Sequence, residues 1–300
     1  MGFEVALLTV LLALGVPANA ALLAVLWRHK DMHTTPNIFI ANLAAADLMN
    51  ILVYAPLSVL NYVRYDESYG DIICKCIMSA CDLFMIVSVY TFICMSAYRY
   101  MGIRSLVARG GEHPRLTRRG AVATVALVWA LAAALSVHSA LDAGLVASHC
   151  FFRLSRGGYA LRRSAEILLV FALPFAAIAY LCAATSVLLR RSAASIPGEH
   201  QGAAIAARRR SANVPITLIL QFFACHVFRL GFLVADLWAR HSRYSAVDHG
   251  LFCFLLLYFV FSAFLTYLHS CLPPVMLLFT SSSIRGHFLA GLGWRAKKGA

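Results

Sequence analysis

At 300 residues the chain is 61% hydrophobic and 13% charged, with a mean hydropathy of +0.75. That is more apolar surface than a soluble core of this size can bury. The formal net charge is +13, yet the basic residues are divided among short segments between apolar runs, which argues against nucleic-acid binding. Seven such runs occupy about 5–28, 37–62, 72–102, 120–142, 164–190, 212–238 and 250–279, each near or above the roughly 20 residues that span a bilayer as a helix. Continuous runs predict helices and exclude a β-barrel, because backbone in lipid must satisfy its own hydrogen bonds. The expected fold is therefore all-α and membrane-embedded, a single seven-transmembrane-helix bundle over residues 1–300. Beyond the seventh run, Ile284, Phe288, Leu289, Leu292 and Trp294 with Arg285, Arg295, Lys297 and Lys298 suit a short amphipathic interfacial helix.

The first run has a second reading, since Val16-Pro17-Ala18-Asn19-Ala20 resembles a signal-peptide cleavage site. Glu4 in place of a basic leader and the return of apolar sequence at Ala21 favour a span. Most of the 26 Lys and Arg, among them Arg28, Lys30, Arg104, Arg118, Arg119, Arg190 and Arg191, then fall on one side. The positive-inside rule puts the amino terminus outside and the carboxyl terminus inside. Residues 193–207 and the last few are candidates for disorder. No nucleophile elbow occurs and the histidines show no metal spacing, so neither an enzyme nor a metal centre is expected. An odd number of spans without an inverted repeat argues against a transporter.

From Cys74 to Arg99 a helix rises about 37 Å, from one membrane face to the other. Gly70-Asp71-Ile72-Ile73-Cys74 opens that stretch and Tyr98-Arg99-Tyr100 closes it. These resemble the Gly-x-x-x-Cys and Asp-Arg-Tyr of the third helix in rhodopsin-like G-protein-coupled receptors, with Tyr98 where the family has an acid. Other landmarks follow in order: Asn19 after Ala18, Asn42-Leu43-Ala44-Ala45-Ala46-Asp47, Pro56, Trp129, Pro174, Phe222-Phe223-Ala224-Cys225-His226 and Leu272-Pro273-Pro274-Val275-Met276-Leu277. Within that family, Thr34-Thr35-Pro36 and His269-Ser270-Cys271-Leu272 resemble the chemokine-receptor branch. The lost acid and the short termini look similar to the virally encoded members of that branch.

The resemblance implies coupling to heterotrimeric G proteins through Tyr98, Arg99, Tyr100 and Ile103. It also implies a disulfide between Cys74 and Cys150, with Cys76 a competitor, while Cys253 is expected to be a buried thiol. A tyrosine at position 98 is neutral at pH 7 and cannot restrain Arg99 as an acid does, which predicts basal signalling at the plasma membrane. The plainer alternative makes Tyr98 and Arg99 interfacial anchors. Opposing losses lie in the later helices. Cys182 and Leu277 replace the tyrosines of the active state, Tyr180 lies roughly 200° round the helix from Cys182, Pro273 replaces an asparagine beside Pro274, and His226 replaces a tryptophan above Phe222. A signalling-silent relative, acting as a decoy or a dimer partner, is the rival expectation.

Asn19, Asp47, Ser88 and Ser270 match family sodium ligands, so a weak Na+ site or a protonated structural Asp47 is expected, and no other cofactor. Asp82 and Arg229 both interrupt apolar helices, and pairing across the outer half of the bundle is the least costly arrangement for two charges in lipid. The alternative sends Arg229 to Glu166 or Asp236. Asp82, Arg229 and Asp236 are thus the candidate ligand-pocket residues. Glu4, Asp66, Glu67, Asp71 and Asp248 add outer acids that a basic chemokine ligand would contact, against the basic Arg153, Arg156, Arg162 and Arg163.

Overall fold

Uninterrupted apolar sequence leaves the backbone no partner in lipid but itself, and the chain responds with long helices. The computed structural model describes residues 2–60, 67–108, 117–146, 149–194, 201–241 and 249–291. Helix α1 (Gly2–Arg28) is followed by a 3-10 turn (Lys30–Met32), α2 (Thr35–Leu60), α3 (Glu67–Ala108) and α4 (Arg118–Asp142). A β-hairpin, β1 (Ala143–Val146) and β2 (His149–Phe152), leads to α5 (Arg156–Glu166). A π-helical stretch (Ile167–Ala172) joins α5 to α6 (Leu173–Ala194), making one fifth span. Helices α7 (Gln201–His241), α8 (His249–Thr280) and the short α9 (Ser282–Gly291) complete the chain. Seven helical segments of the described residues are long and apolar enough to cross a membrane.

The wide turn before α6 has a local cause. Pro174 cannot donate to the carbonyl four residues back and its ring crowds that carbonyl, so the helix loosens over the preceding residues. The Tyr90 hydroxyl of α3 donates to the Leu169 carbonyl there, at 3.2 Å. Thr117 caps α4 by accepting from the Gly120 amide, and Ser155 caps α5 by accepting from Gly158. That second cap matters for the site. It starts the fifth span at Arg156, outward of the start near 164 that hydropathy predicts.

The main core joins α1, α2, α3, α6, α7 and α8 through Leu22, Phe39, Leu43, Phe92, Ile178, Leu218, Phe222 and Leu277. Small residues permit the closest approach: a side chain on Gly15 would lie 2.5 Å from the Cys271 sulfur and 2.7 Å from Ile51. Polar ties cross the same interior. Asn42 donates to Thr91 and accepts from the Trp129 indole, each at 2.8 Å, binding α2 to α3 and α4. Outward-facing Leu127, Leu141, Leu220, Leu257 and Phe279 form the apolar exterior that lipid covers. Cys253 is exposed on that exterior, not buried as expected, because its face of α8 points away from the bundle. Helix α9 tucks Ile284 beneath Met32, with Phe288 and Leu289 half-buried. Leu292, Trp294, Arg295, Lys297 and Lys298 lie outside the described residues.

Candidate functional site

The end of the bundle that carries Cys74 is closed by covalent and ionic ties. The Cys74–Cys150 disulfide fastens β2 to α3, and Leu145 pairs with Cys150 across the hairpin. The remaining cysteine candidate, Cys76, is free and exposed. Asp71 accepts from the Leu145 amide at 3.1 Å and from Arg153 at 2.6 Å, with Lys75 2.9 Å away. Glu4, Asp66, Glu67 and Asp248 lie outside the side chains that the structure describes.

Beneath the hairpin the charges pair differently from the expectation. Asp82 does not meet Arg229. It accepts from Arg162 at 2.9 Å and from the Ser139 hydroxyl, while Arg162 also donates to Ser139 at 3.0 Å and lies 3.8 Å from Asp142. The Arg162 guanidinium rests 3.7 Å over the Phe152 ring. Arg229 instead lies 3.9 Å from Glu166, the alternative that the sequence left open. Asp236 accepts from Tyr159 at 2.6 Å and has Arg163 at 3.7 Å, and Arg163 donates to Glu166 at 2.6 Å. The physical reason is the early start of α5. One extra helical turn and more lowers Arg162 and Arg163 into the bundle, and Arg162 reaches Asp82 first. Both arginines read as loop charges in the sequence. Ser155 as a cap, with Tyr159, Arg162 or Arg163, and Glu166 at helical spacing, is the signal that finds them.

At mid-depth, the buried Asp47 carboxylate has Ser88 and Ser270 beside it, bringing three of the four sodium-site residues together. The fourth, Asn19, uses its amide on the Gly15 and Ser270 carbonyls at 3.0 and 2.8 Å, so it supports Ser270 through the backbone. Asn50, missed in the sequence, donates to the Ser270 hydroxyl at 3.2 Å. Asp47 Oδ2 and Asn19 Oδ1 are both buried with no hydrogen-bond donor. Two such oxygens suit a small hard cation.

His269, the neighbour of Ser270 in α8, belongs to a ring stack. His226 lies 4.2 Å from Phe222, nearly parallel, and its Nδ1 donates to the Phe222 carbonyl at 3.0 Å. His269 meets His226 edge-on at 4.8 Å and accepts at Nδ1 from Gln221 at 3.0 Å. Phe92 completes the stack 4.9 Å from Phe222. Pro273 and Pro274 are buried in α8, and Leu277 is fully buried in the core that includes Phe222.

At the Arg99 end Tyr98 faces α4 and α2. Its hydroxyl bonds to Thr124 at 2.9 Å and its ring meets Phe39 edge-on at 4.8 Å. Arg99, Tyr100 and Ile103 are half-buried. Cys182 of α6 packs against the main core, while Tyr180 is exposed, as the helical offset required.

The sequence profile described as 7 transmembrane receptor (rhodopsin family) matches residues 18–277. The chain belongs to this receptor family. Its members are receptors, not enzymes. The chain is 28% identical to the neuropeptide CCHamide-1 receptor of Drosophila melanogaster, over 98% of this chain and 60% of that receptor. It is 27% identical to bombesin receptor subtype-3 of Ovis aries, over 94% and 73% of the two chains. Neuropeptides B/W receptor type 1 of Rattus norvegicus is 29% identical, over 92% and 82%. The chain thus spans about three-fifths of the CCHamide-1 receptor and more of the other two.

Proposed function

We propose that this chain is a plasma-membrane receptor for an extracellular peptide, signalling through heterotrimeric G proteins at its Arg99 end with activity in the absence of ligand. The observation that carries the signalling reading is the Tyr98–Thr124 hydrogen bond at 2.9 Å. The residue before Arg99 is an uncharged phenol committed to α4, standing where the resembled receptors carry an acid. The names of the relatives support a peptide ligand. A chemokine is the finer alternative, supported by the wording at Thr34-Thr35-Pro36 and His269–Leu272 and by Asp71 and Asp236 at the outer end.

Dissociation of Gα from Gβγ in unstimulated cells, at matched surface expression, tests the reading. Arg99→Ala abolishes the basal signal and Tyr98→Asp lowers it. No signal from well-expressed wild type overturns basal activity. It would favour the second reading, a silent decoy or dimer partner, which rests on Leu277 and Cys182 offering no hydroxyl to an opened inner end. A peptide panel against a chemokine panel, read on the same sensor, separates the two ligand classes.

The fit at mid-depth supports a weak Na+ site held by Asp47, Ser88 and Ser270. A bound ion would supply the positive charge that a buried carboxylate lacks. Na+ in place of K+ at equal ionic strength then raises the melting temperature of wild type but not of Asp47→Asn. Equal melting in the two salts identifies a protonated, structural Asp47 instead.

A further inference from the structure

At the Arg99 end of the bundle, His29, Asp31 and His287 converge from opposite ends of the sequence. One ligand atom from each lies within 4.8 Å of the others, the one such triad of His, Cys, Asp and Glu among the described residues. His287 Nδ1 is 2.9 Å from the Ser283 carbonyl, which can only accept, so Nδ1 carries the hydrogen. In a neutral imidazole the other nitrogen, Nε2, is then a bare lone pair. That nitrogen faces Asp31 Oδ2 at 3.0 Å. Two lone pairs at that separation repel unless a positive charge sits with them. A proton on Nε2 is one solution. A metal ion is the other, and the rest of the triad speaks for it: the His29 ring lies 4.3 Å from the His287 ring and adds a third donor that a shared proton does not need.

We propose that His29, Asp31 and His287 form a site for a divalent transition metal, Zn2+ by donor set, clamping α9 to the turn after α1. Two imidazoles and a carboxylate suit Zn2+ better than Ca2+ or Mg2+, which prefer oxygen alone. Tetrahedral Zn2+ puts neighbouring ligand atoms about 3.3 Å apart, so the 3.0 Å pair is already close and His29 needs a small rotation. The hydrogen bond from His287 to Ser283 is the outer support that metal-bound imidazoles use to fix their orientation. Both supporting segments are anchored. Met32 and Ile284 are buried in the main core, the Ser283 hydroxyl contacts the Met32 sulfur at 3.2 Å, and Asn37 donates to the Met32 carbonyl at 2.7 Å. Asp31 is exposed, with 64% of its side chain accessible, which leaves a path for the ion and a fourth position for water. The bound ion would hold α9 in place as a separate element from the Arg99 machinery.

Full-length receptor in lipid nanodiscs, stripped with chelator and titrated with CoCl2 and then ZnCl2, tests the site. One equivalent of Co2+ should give the visible absorption of four-coordinate cobalt and be displaced by Zn2+. His29→Ala, Asp31→Asn and His287→Gln should each weaken binding by about tenfold or more, with His33→Ala unchanged. His287→Gln keeps a donor for Ser283, and each variant is scored only if its metal-free melting matches wild type. Unchanged affinity in His29→Ala or His287→Gln overturns the proposal. So does a near-ultraviolet thiolate band, which would move the metal to the exposed Cys76 or Cys253. Absence of binding at millimolar Co2+ also overturns it and leaves a proton between His287 and Asp31.

Discussion

Above the middle of the bundle, α3, α4, α5 and α7 are joined by Asp82, Ser139, Tyr159, Arg162, Arg163, Glu166, Arg229 and Asp236. Below it, Phe92, Ile178, Leu218, Phe222 and Leu277 join α3, α6, α7 and α8 mainly through apolar side chains, with Gln221 to His269 a polar tie between α7 and α8. The contrast is chemical and also mechanical. An ionic network in a poorly solvated space has discrete alternative pairings, so one partner can exchange for another at modest net cost. A packed apolar layer has no alternative partners and yields only by moving whole helices. The half that holds Asp82 can thus re-pair its charges locally, whereas the half that holds Phe222 changes only as a whole. His226 and His269 lie at the join, polar rings stacked on Phe222.

The largest expected effect strikes the apolar side. Phe222→Ala removes a fully buried ring and should cost about 4 kcal/mol, read as a large fall in melting temperature of detergent-purified receptor, with Phe222→Leu losing much less. An equal small loss in both would mean that the layer is loosely packed, and the contrast fails. The ionic side comes next. Arg162→Met leaves Asp82 facing Ser139 with its main counter-charge gone, at about 3 kcal/mol, the low end for a buried pair because a third of the Asp82 side chain is exposed. Adding Asp82→Asn should recover much of that loss. Without recovery, Arg162 acts by packing on Phe152 and the network is not the unit described. Lys75→Gln should hardly register, since its contact with Asp71 is solvent-exposed and screened.

The spans themselves were legible because lipid imposes a constraint that hydropathy measures directly. The landmarks resembling the family also fixed Cys74 and Cys150 and the grouping of Asp47, Ser88 and Ser270. The partner of Asp82 was not legible. Hydropathy starts the fifth span where apolar residues begin, whereas the helix starts at its cap, Ser155, and charges in between change from loop to interior. The direction taken by Tyr98 was hidden for a different reason: a long side chain on the flank of α3 can turn to either neighbouring helix, and only the placement of Thr124 and Phe39 decides. The His29–Asp31–His287 triad escaped every spacing rule because its members lie at opposite ends of the chain and meet only when α9 folds back under α1.

A smaller effect than those at Phe222 and Arg162 tests the comparison most sharply. Tyr98→Phe deletes one hydroxyl from the half that holds Phe222 and keeps the ring against Phe39. Thr124 retains its own bond to the Gly120 carbonyl at 2.8 Å, so no donor is stranded and the loss should be about 1 kcal/mol or less. Basal coupling should stay where it is, because phenylalanine offers Arg99 no more of a carboxylate than tyrosine does. A clear rise in basal coupling would mean that the Tyr98–Thr124 bond is itself the restraint on the end of α3. That half would then be held by a polar contact between α3 and α4, as the other half is by Asp82, Ser139 and Arg162, and the division of labour between charge and shape would have to be redrawn around that helix pair.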